Sequence, residues 1–145
     1  MKVQKNSPRL KPIVVHIITG LGTGGAERSL YNIVNSDLSQ IYDFIFISLK
    51  GGGLYEKKII DLGHDLKILN LNKLNFFYKL IKLAFQLRKV RPEIIQGWMY
   101  HGNLVAAIMK LFTSTNTKLL FNVRHSLLSI KLEKPSTRFV IYLNK

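Results

Sequence analysis

Residues 13–28, with the sequence IVVHIITGLGTGGAER, decide the fold. Residues 13–19 form an almost continuous apolar run rich in β-branched side chains, which is typical of a strand buried on both faces. A glycine cluster, Gly20 to Gly25, follows at once, and Ala26 then opens a stretch with apolar residues at helical spacing. The stretch therefore predicts a strand, a tight turn and a helix.

The same alternation of short apolar runs and longer helical segments continues along the chain, which indicates a parallel sheet with crossover helices. Four of the five predicted strands are nearly continuous in apolar residues. The third alternates apolar and polar residues, so we expect it at an edge of the sheet. The predicted strands are Ile13 to Thr19, Phe44 to Leu49, Leu66 to Leu71, Ile94 to Met99 and Leu119 to Val123.

Helices are predicted between these strands. The longest covers residues 75–90 and ends before Pro92, and Gly63 is expected to cap a shorter one. Right-handed crossovers then give a single-domain α/β fold, a doubly wound, Rossmann-like parallel sheet in the order 3-2-1-4-5. The residues expected to face the sheet are Ala26, Leu30, Ile33 and Val34 in the first helix, Phe77, Leu80, Ile81, Ala84 and Leu87 in the longest, and Leu104, Ala107, Ile108 and Leu111 in the last. The residues of the longest helix expected to face solvent are Lys79, Lys82, Gln86 and Lys89.

Composition limits the possible functions. The 145 residues fit one ordinary domain, and the absence of cysteine excludes disulfides, thiolate metal sites and a cysteine nucleophile. The 22 lysines and arginines exceed the 8 acidic residues, which gives a net charge of +14. Such a charge can attract phosphorylated ligands, anionic lipid or nucleic acid, or can simply keep the protein soluble.

The amino terminus has basic residues before an apolar run, which is roughly the order of a signal peptide. We reject that interpretation because the run contains His16 and because Glu27 and Arg28 lie where a small-residue cleavage site is needed. No stretch reaches the roughly 18 uncharged apolar residues of a membrane span. The sequence therefore predicts a cytoplasmic protein.

The glycine cluster predicts anion binding. Glycines allow a phosphate to approach bare amide groups at the positive end of a helix dipole. Gly20, Gly22 and Gly25 also have the spacing of a dinucleotide-binding loop, but that function needs an acid after the second strand, where the chain has Lys50 and three glycines. At best, Lys50 suggests a phosphorylated dinucleotide. A third alternative is that the glycines serve only tight packing.

Three segments carry a family resemblance, and they span nearly the whole chain. Residues 17–28 place a glycine pair before a small residue and Glu27, residues 91–104 (RPEIIQGWMYHGNL) place a histidine after the fourth strand, and residues 122–126 (NVRHS) end the fifth. Together they resemble the amino-terminal domain of family 4 retaining glycosyltransferases. Those enzymes have two Rossmann-type domains. The first domain holds the acceptor, and the second holds the nucleotide-sugar.

The resemblance implies the function of a domain rather than a complete enzyme. The chain resembles the first domain alone, and residues 135–145 begin like a helix where the sequence stops. We therefore expect a truncated domain of residues 1–145 without the carboxyl-terminal donor domain, and no turnover by the chain itself. No cofactor is expected, since the nucleotide-sugar is a substrate, and no metal site or covalent nucleophile is expected either.

The resemblance also implies roles for individual residues. The loop Gly22, Thr23, Gly24 and Gly25 is expected to contact the donor phosphate and sugar, and His101 to act at the reacting centre. An alternative is that His101 caps a helix beginning near Asn103. Acceptor binding is expected from Tyr100, Asn103, Arg124 and His125, of which the last two could instead pair with Glu133.

Other side chains near these motifs receive structural roles. Glu27 is expected to orient the loop or stabilise the helix end, and Trp98 and Met99 are expected in the core. Neither His16 nor His64 is assigned a function.

The expected partners are a nucleotide-sugar, a saccharide or lipid-linked acceptor, and the missing domain. Peripheral contact with an anionic membrane through Lys79, Lys82 and Lys89 is expected if the acceptor is lipid-linked. Nucleic acid is not an expected partner, because the aromatic residues follow core periodicity instead of interleaving with basic ones on an exposed strand.

Overall fold

The computed structural model describes residues 11–122, which form a five-stranded, fully parallel sheet in the order 3-2-1-4-5. The predicted topology is confirmed, and the alternating third strand lies at an edge. The strands are β1 (Ile13–Ile18), β2 (Asp43–Ser48), β3 (Asp65–Ile68), β4 (Ile94–Trp98) and β5 (Lys118–Asn122), and the helices are α1 (Gly25–Val34), α2 (Leu38–Ile41), α3 (Leu54–Asp61), α4 (Phe76–Val90) and α5 (Met99–Lys110).

Helices cover both faces of the sheet, and each face has its own apolar core. On one face, α1 and α3 pack through Leu30 and Ile59 against Phe46 and Trp98. On the other, α4 and α5 pack through residues such as Leu83 and Val105. The central strand β1 is buried on both sides because its alternate residues enter the two cores. Because all five strands are parallel, their carboxyl ends lie at one edge of the sheet, which we call the carboxyl edge.

The strand ends differ slightly from prediction. β1, β2 and β4 each end one residue earlier than expected, and Val123 lies outside the described residues. β3 ends at Ile68 instead of Leu71, although Leu69 and Leu71 still donate backbone hydrogen bonds to Ser48 and Leu49 at 2.8 and 2.9 Å. The cause is Asn70, whose φ of +46° interrupts the extended backbone.

The prediction for the inward face of α4 is wrong for two residues. Phe77 is 76% exposed and Ile81 is 58% exposed, whereas the buried residues are Leu80, Leu83, Ala84 and Leu87. More than half of the circumference of α4 is apolar, so the sequence pattern allowed either of two faces to be the one that packs on the sheet. Contact with the sheet selected one face and left the other in solvent.

The predicted stripe of α5 is wrong in part. Ile108 packs against the core, but Leu111 is 80% exposed just after the helix. The buried residues of α5 are Tyr100, Gly102, Asn103, Val105, Ala106 and Met109. Small residues lie on the buried face because the helix is close to the strands. A side chain on Gly102 would place its Cβ 2.5 Å from the carbonyl oxygen of Ile17.

Gly63 is confirmed as the residue that ends the short helix α3. Its φ is +79°, and its N–H donates to the carbonyl of Ile60 at 2.8 Å. None of the helices within residues 11–122 has both the length and the apolar character that crossing a membrane requires.

Candidate functional site

The glycine turn between β1 and α1 lies at the carboxyl edge. Helix α1 begins at Gly25, and Gly24 precedes it without any side chain capping the first turn. Thr23, Gly24 and Gly25 are exposed. The first amide groups of a helix have no partner inside the helix, so an uncapped and exposed helix start can donate hydrogen bonds to an anion.

Packing does not explain these glycines. A Cβ on Gly25 would meet no described atom within 4 Å, and one on Gly22 would lie 3.9 Å from the Glu27 carboxylate, an ordinary contact. Neither glycine has the positive φ that other residues avoid. Gly24 differs, because a Cβ there would lie 2.5 Å from Oε2 of Glu27. Among residues 11–122, only the Glu27 carboxylate beside Gly24 thus stands over the turn.

The loop after β2 packs directly against the glycine turn, a contact that the sequence did not indicate. Gly53 lies so close to the turn that a Cβ on it would stand 2.1 Å from the carbonyl oxygen of Leu21. The N–H of Tyr55 donates to that same oxygen at 3.0 Å. The only signal was the run of glycines at 51–53, which predicted a loop but no contact.

His101 lies in the first turn of α5, at the same carboxyl edge. Trp98, not His101, occupies the N-cap position, so the alternative in which His101 caps a helix near Asn103 is wrong. The imidazole is half-buried, and its pKa is lowered first by burial and then by the positive charge of Lys50. His101 is therefore neutral at neutral pH, with one nitrogen able to donate and the other able to accept a hydrogen bond.

A cavity of about 200 Å³, which we call the edge cavity, opens beside His101. Its polar lining residues are Thr19, Lys50 and His101, and Phe76 and Leu104 contribute apolar walls. The hydroxyl of Thr19 is buried without a hydrogen-bond partner among the described residues. Buried hydroxyls are normally paired, so this one has bonding capacity to spare.

Lys50 is a site residue that the sequence analysis considered only for a dinucleotide. Pairing between β1 and β2 continues beyond the strand ends, and the N–H of Lys50 donates to the carbonyl of Thr19 at 3.0 Å. This contact places Lys50 alongside β1 and next to His101. The available signal was its position directly after a strand that neighbours β1.

The predicted site residues do not all converge. The glycine turn lies towards α1, on the opposite face of the sheet from α5, and Gly22 to Gly25 do not line the edge cavity. Tyr100 is buried, and so is Asn103, whose Cα would be 2.5 Å from a Cβ on Gly97. Neither lines the edge cavity. Arg124 and His125 lie outside the described residues.

The junction between β4 and α5 is strained. Met99 has a φ of +62° and is 36% exposed, so the expectation that it lies in the core is wrong. Trp98 is fully buried as expected, and its Nε1 donates to Nδ1 of His16 at 3.2 Å. Burial, followed by the charge of His64, lowers the pKa of His16 to about 3. His16 is thus a neutral core residue.

Neither the protein-family models nor the curated proteins compared with this chain match it. The family resemblance therefore rests on the three sequence motifs alone. Within residues 11–122, no group of three histidine or acidic side chains is placed to hold a metal ion.

Proposed function

We propose that this chain is the acceptor-side domain of a retaining glycosyltransferase, which transfers a sugar from a nucleotide-sugar to a saccharide or lipid-linked acceptor. The observation that most supports the proposal is the open glycine turn at the start of α1, at the same sheet edge as His101. In such an enzyme the turn faces a second, nucleotide-sugar-binding domain across a cleft, and the edge cavity holds part of the acceptor.

The chemistry of the edge suits this reaction. Uncapped amides and the helix dipole stabilise the phosphate that leaves from the donor. Neutral His101 can donate a hydrogen bond to the transferred sugar or accept one from an acceptor hydroxyl. The family resemblance implies that the leaving phosphate helps to deprotonate the acceptor, so a covalent nucleophile on the protein is not needed.

Two observations argue against a dinucleotide-binding protein. The third glycine of that motif permits close packing of the helix on the strand, but a Cβ on Gly25 would meet nothing within 4 Å among the described residues. No acid follows β2 to hold the ribose hydroxyls, because the next residues are Leu49, Lys50 and the glycines 51–53. The alternative that the glycines serve only tight packing is disfavoured for the same reason, because a Cβ on Gly25 would meet no described atom.

A titration followed by amide NMR tests the proposed function. Because the second domain of such an enzyme holds most of the donor, we expect UDP-glucose, or another nucleotide-sugar from a panel, to shift the amide signals of Thr23 to Ala26 and the imidazole signals of His101 only at millimolar concentration. NADPH serves as the competitor. The proposal fails if no nucleotide-sugar shifts the turn, or if NADPH binds more tightly and shifts the signals of Ser48 to Lys50 instead.

Gly25→Ala provides a probe of the turn that leaves folding intact. Because the new methyl group enters open space, we expect the melting temperature to stay unchanged within error. The same methyl group stands where a phosphate must approach the amides, so nucleotide-sugar affinity is expected to fall about tenfold. Asn32→Ala, an exposed change on the same helix, is the control. Unchanged affinity in Gly25→Ala would mean that the ligand does not use this turn.

A further inference from the structure

An apolar groove of about 340 Å³ runs between α4 and α5. Its walls include Phe77, Ile81, Phe85, Ile108 and Phe112, and its lining is apolar except for Arg88. Phe85 is 64% exposed and Phe112 is 52% exposed, so the wall residues face solvent while Leu80, Ala84 and Met109 form a buried floor. Large contiguous apolar surface of this kind usually marks a binding site.

The groove adjoins the edge cavity. Phe76 lines both of them. Along α5, His101, Leu104 and Val105 line the cavity, and Ile108 and Met109 then line the groove one turn further on. At 1.5 Å per residue, the α4 segment from Phe76 to Arg88 gives the groove a length of about 18 Å. The two spaces therefore meet at Phe76, and together they extend from His101 along the helices.

Most of the polar lining lies in the edge cavity, whereas the groove contributes Arg88 alone. The edge cavity carries Lys50 beside Thr19 and neutral His101, and no acidic residue lines it. The groove has an apolar floor and walls, and the sequence of α4 contains no acidic residue that would repel an anion. A cavity that sets one lysine and two further polar side chains among apolar walls, next to an apolar channel, is complementary to a molecule with an anionic head and an apolar chain.

From this arrangement we infer that the edge cavity and the groove together bind a single-chain anionic amphiphile. The phosphate head lies beside Lys50, Thr19 and His101, and the alkyl or prenyl chain passes Phe76 and lies along the groove. The identity of this amphiphile as the acceptor rests on the proposed function, and it selects a lipid-linked acceptor over a free saccharide. A concave channel with a buried floor suits one inserted chain better than the flat surface of a bilayer.

Binding of dodecyl phosphate, used below its critical micelle concentration, tests the inference. We expect it to bind the chain at least tenfold more tightly than inorganic phosphate does, in isothermal titration calorimetry, and to shift the imidazole signals of His101. Lys50→Ala is expected to weaken both ligands, because it removes the charge that contacts the head.

Matched variants on the two helices separate the groove from the general surface. Phe77→Ser and Phe112→Ser change exposed groove walls, so folding should persist while the advantage of dodecyl phosphate over phosphate is lost. Tyr78→Ser is the control, because Tyr78 is equally exposed on α4 but does not line the groove. Circular dichroism melts check that all three variants fold.

Several results would overturn the inference. Equal affinities for the two phosphates would show that the groove takes no chain, and equal losses in Tyr78→Ser would show nonspecific adsorption. Binding that occurs only to anionic vesicles would assign the surface to a membrane, and dimers that dissociate in Phe112→Ser would assign it to a second copy.

If nucleotide-sugars shift the glycine turn but dodecyl phosphate does not bind, this inference alone fails. If dodecyl phosphate binds but no nucleotide-sugar does, the proposed function fails instead.

Discussion

Gly97→Ala is expected to destabilise the fold strongly, because the added methyl group meets the backbone of another element. The new Cβ would lie 2.5 Å from the Cα and 2.9 Å from the N of Asn103, which are backbone atoms of α5. β4 cannot easily shift to relieve this overlap, since it is paired on both sides, with β1 and with β5. Overpacking of this kind costs about 1–3 kcal/mol, and thermal melts should show a decrease of roughly 5 °C or more.

The same substitution should also displace His101, because α5 must move away from β4. In Gly97→Ala we expect shifted His101 imidazole signals even without ligand. Gly25→Ala is the matched control, in which the added methyl group meets no described atom within 4 Å. If both variants melt at the temperature of the parent protein, the close approach of α5 to β4 is not as described.

Stability is expected to decrease as pH falls from 6.5 towards 3, because of His16. Its pKa is about 3 in the folded protein, below the ordinary value of 6.5, so in this window the unfolded chain binds a proton that the folded chain excludes. Each pH unit lowers the free energy of unfolding by on the order of 1 kcal/mol. His64, whose pKa is also lowered by burial despite the opposing charge of Asp65, adds in the same direction.

Urea unfolding at several pH values measures this dependence, and His16→Gln separates His16 from the other groups. The glutamine side chain does not titrate, and its amide oxygen can still accept the hydrogen bond from Trp98 Nε1. We expect lower stability at neutral pH but a clearly shallower slope between pH 6.5 and 3. His64→Gln, which changes a partly exposed ring, should alter the slope less. An unchanged slope in His16→Gln would contradict the assignment.

The order of the strands could be predicted because it depends on local patterns and on chirality. Apolar runs such as residues 13–18 alternate with helical segments, and right-handed crossovers then leave few arrangements. The edge position of β3 followed from its alternating residues. The meeting of the glycine turn and His101 at one edge followed from the topology, because each comes directly after a parallel strand.

The contacts between elements could not be predicted in the same way. α4 is apolar around most of its circumference, so only packing against the sheet decided that Phe77 and Ile81 face solvent. The burial of Asn103 depends on the absence of a side chain at Gly97, on another element. Lys50 enters the edge cavity because pairing continues past the ends of β1 and β2. Each of these outcomes depends on a contact with a different element of the fold.

The parallel arrangement of all five described strands has a practical consequence for attaching labels. The loops that lead into the strands, such as the segments preceding β2 and β4, lie on the rim opposite the glycine turn and His101. A fluorophore or tether placed at Ser36 or Asp37 would stand about a strand length away from the glycine turn and His101. Immobilisation through that rim leaves the carboxyl edge facing the solution.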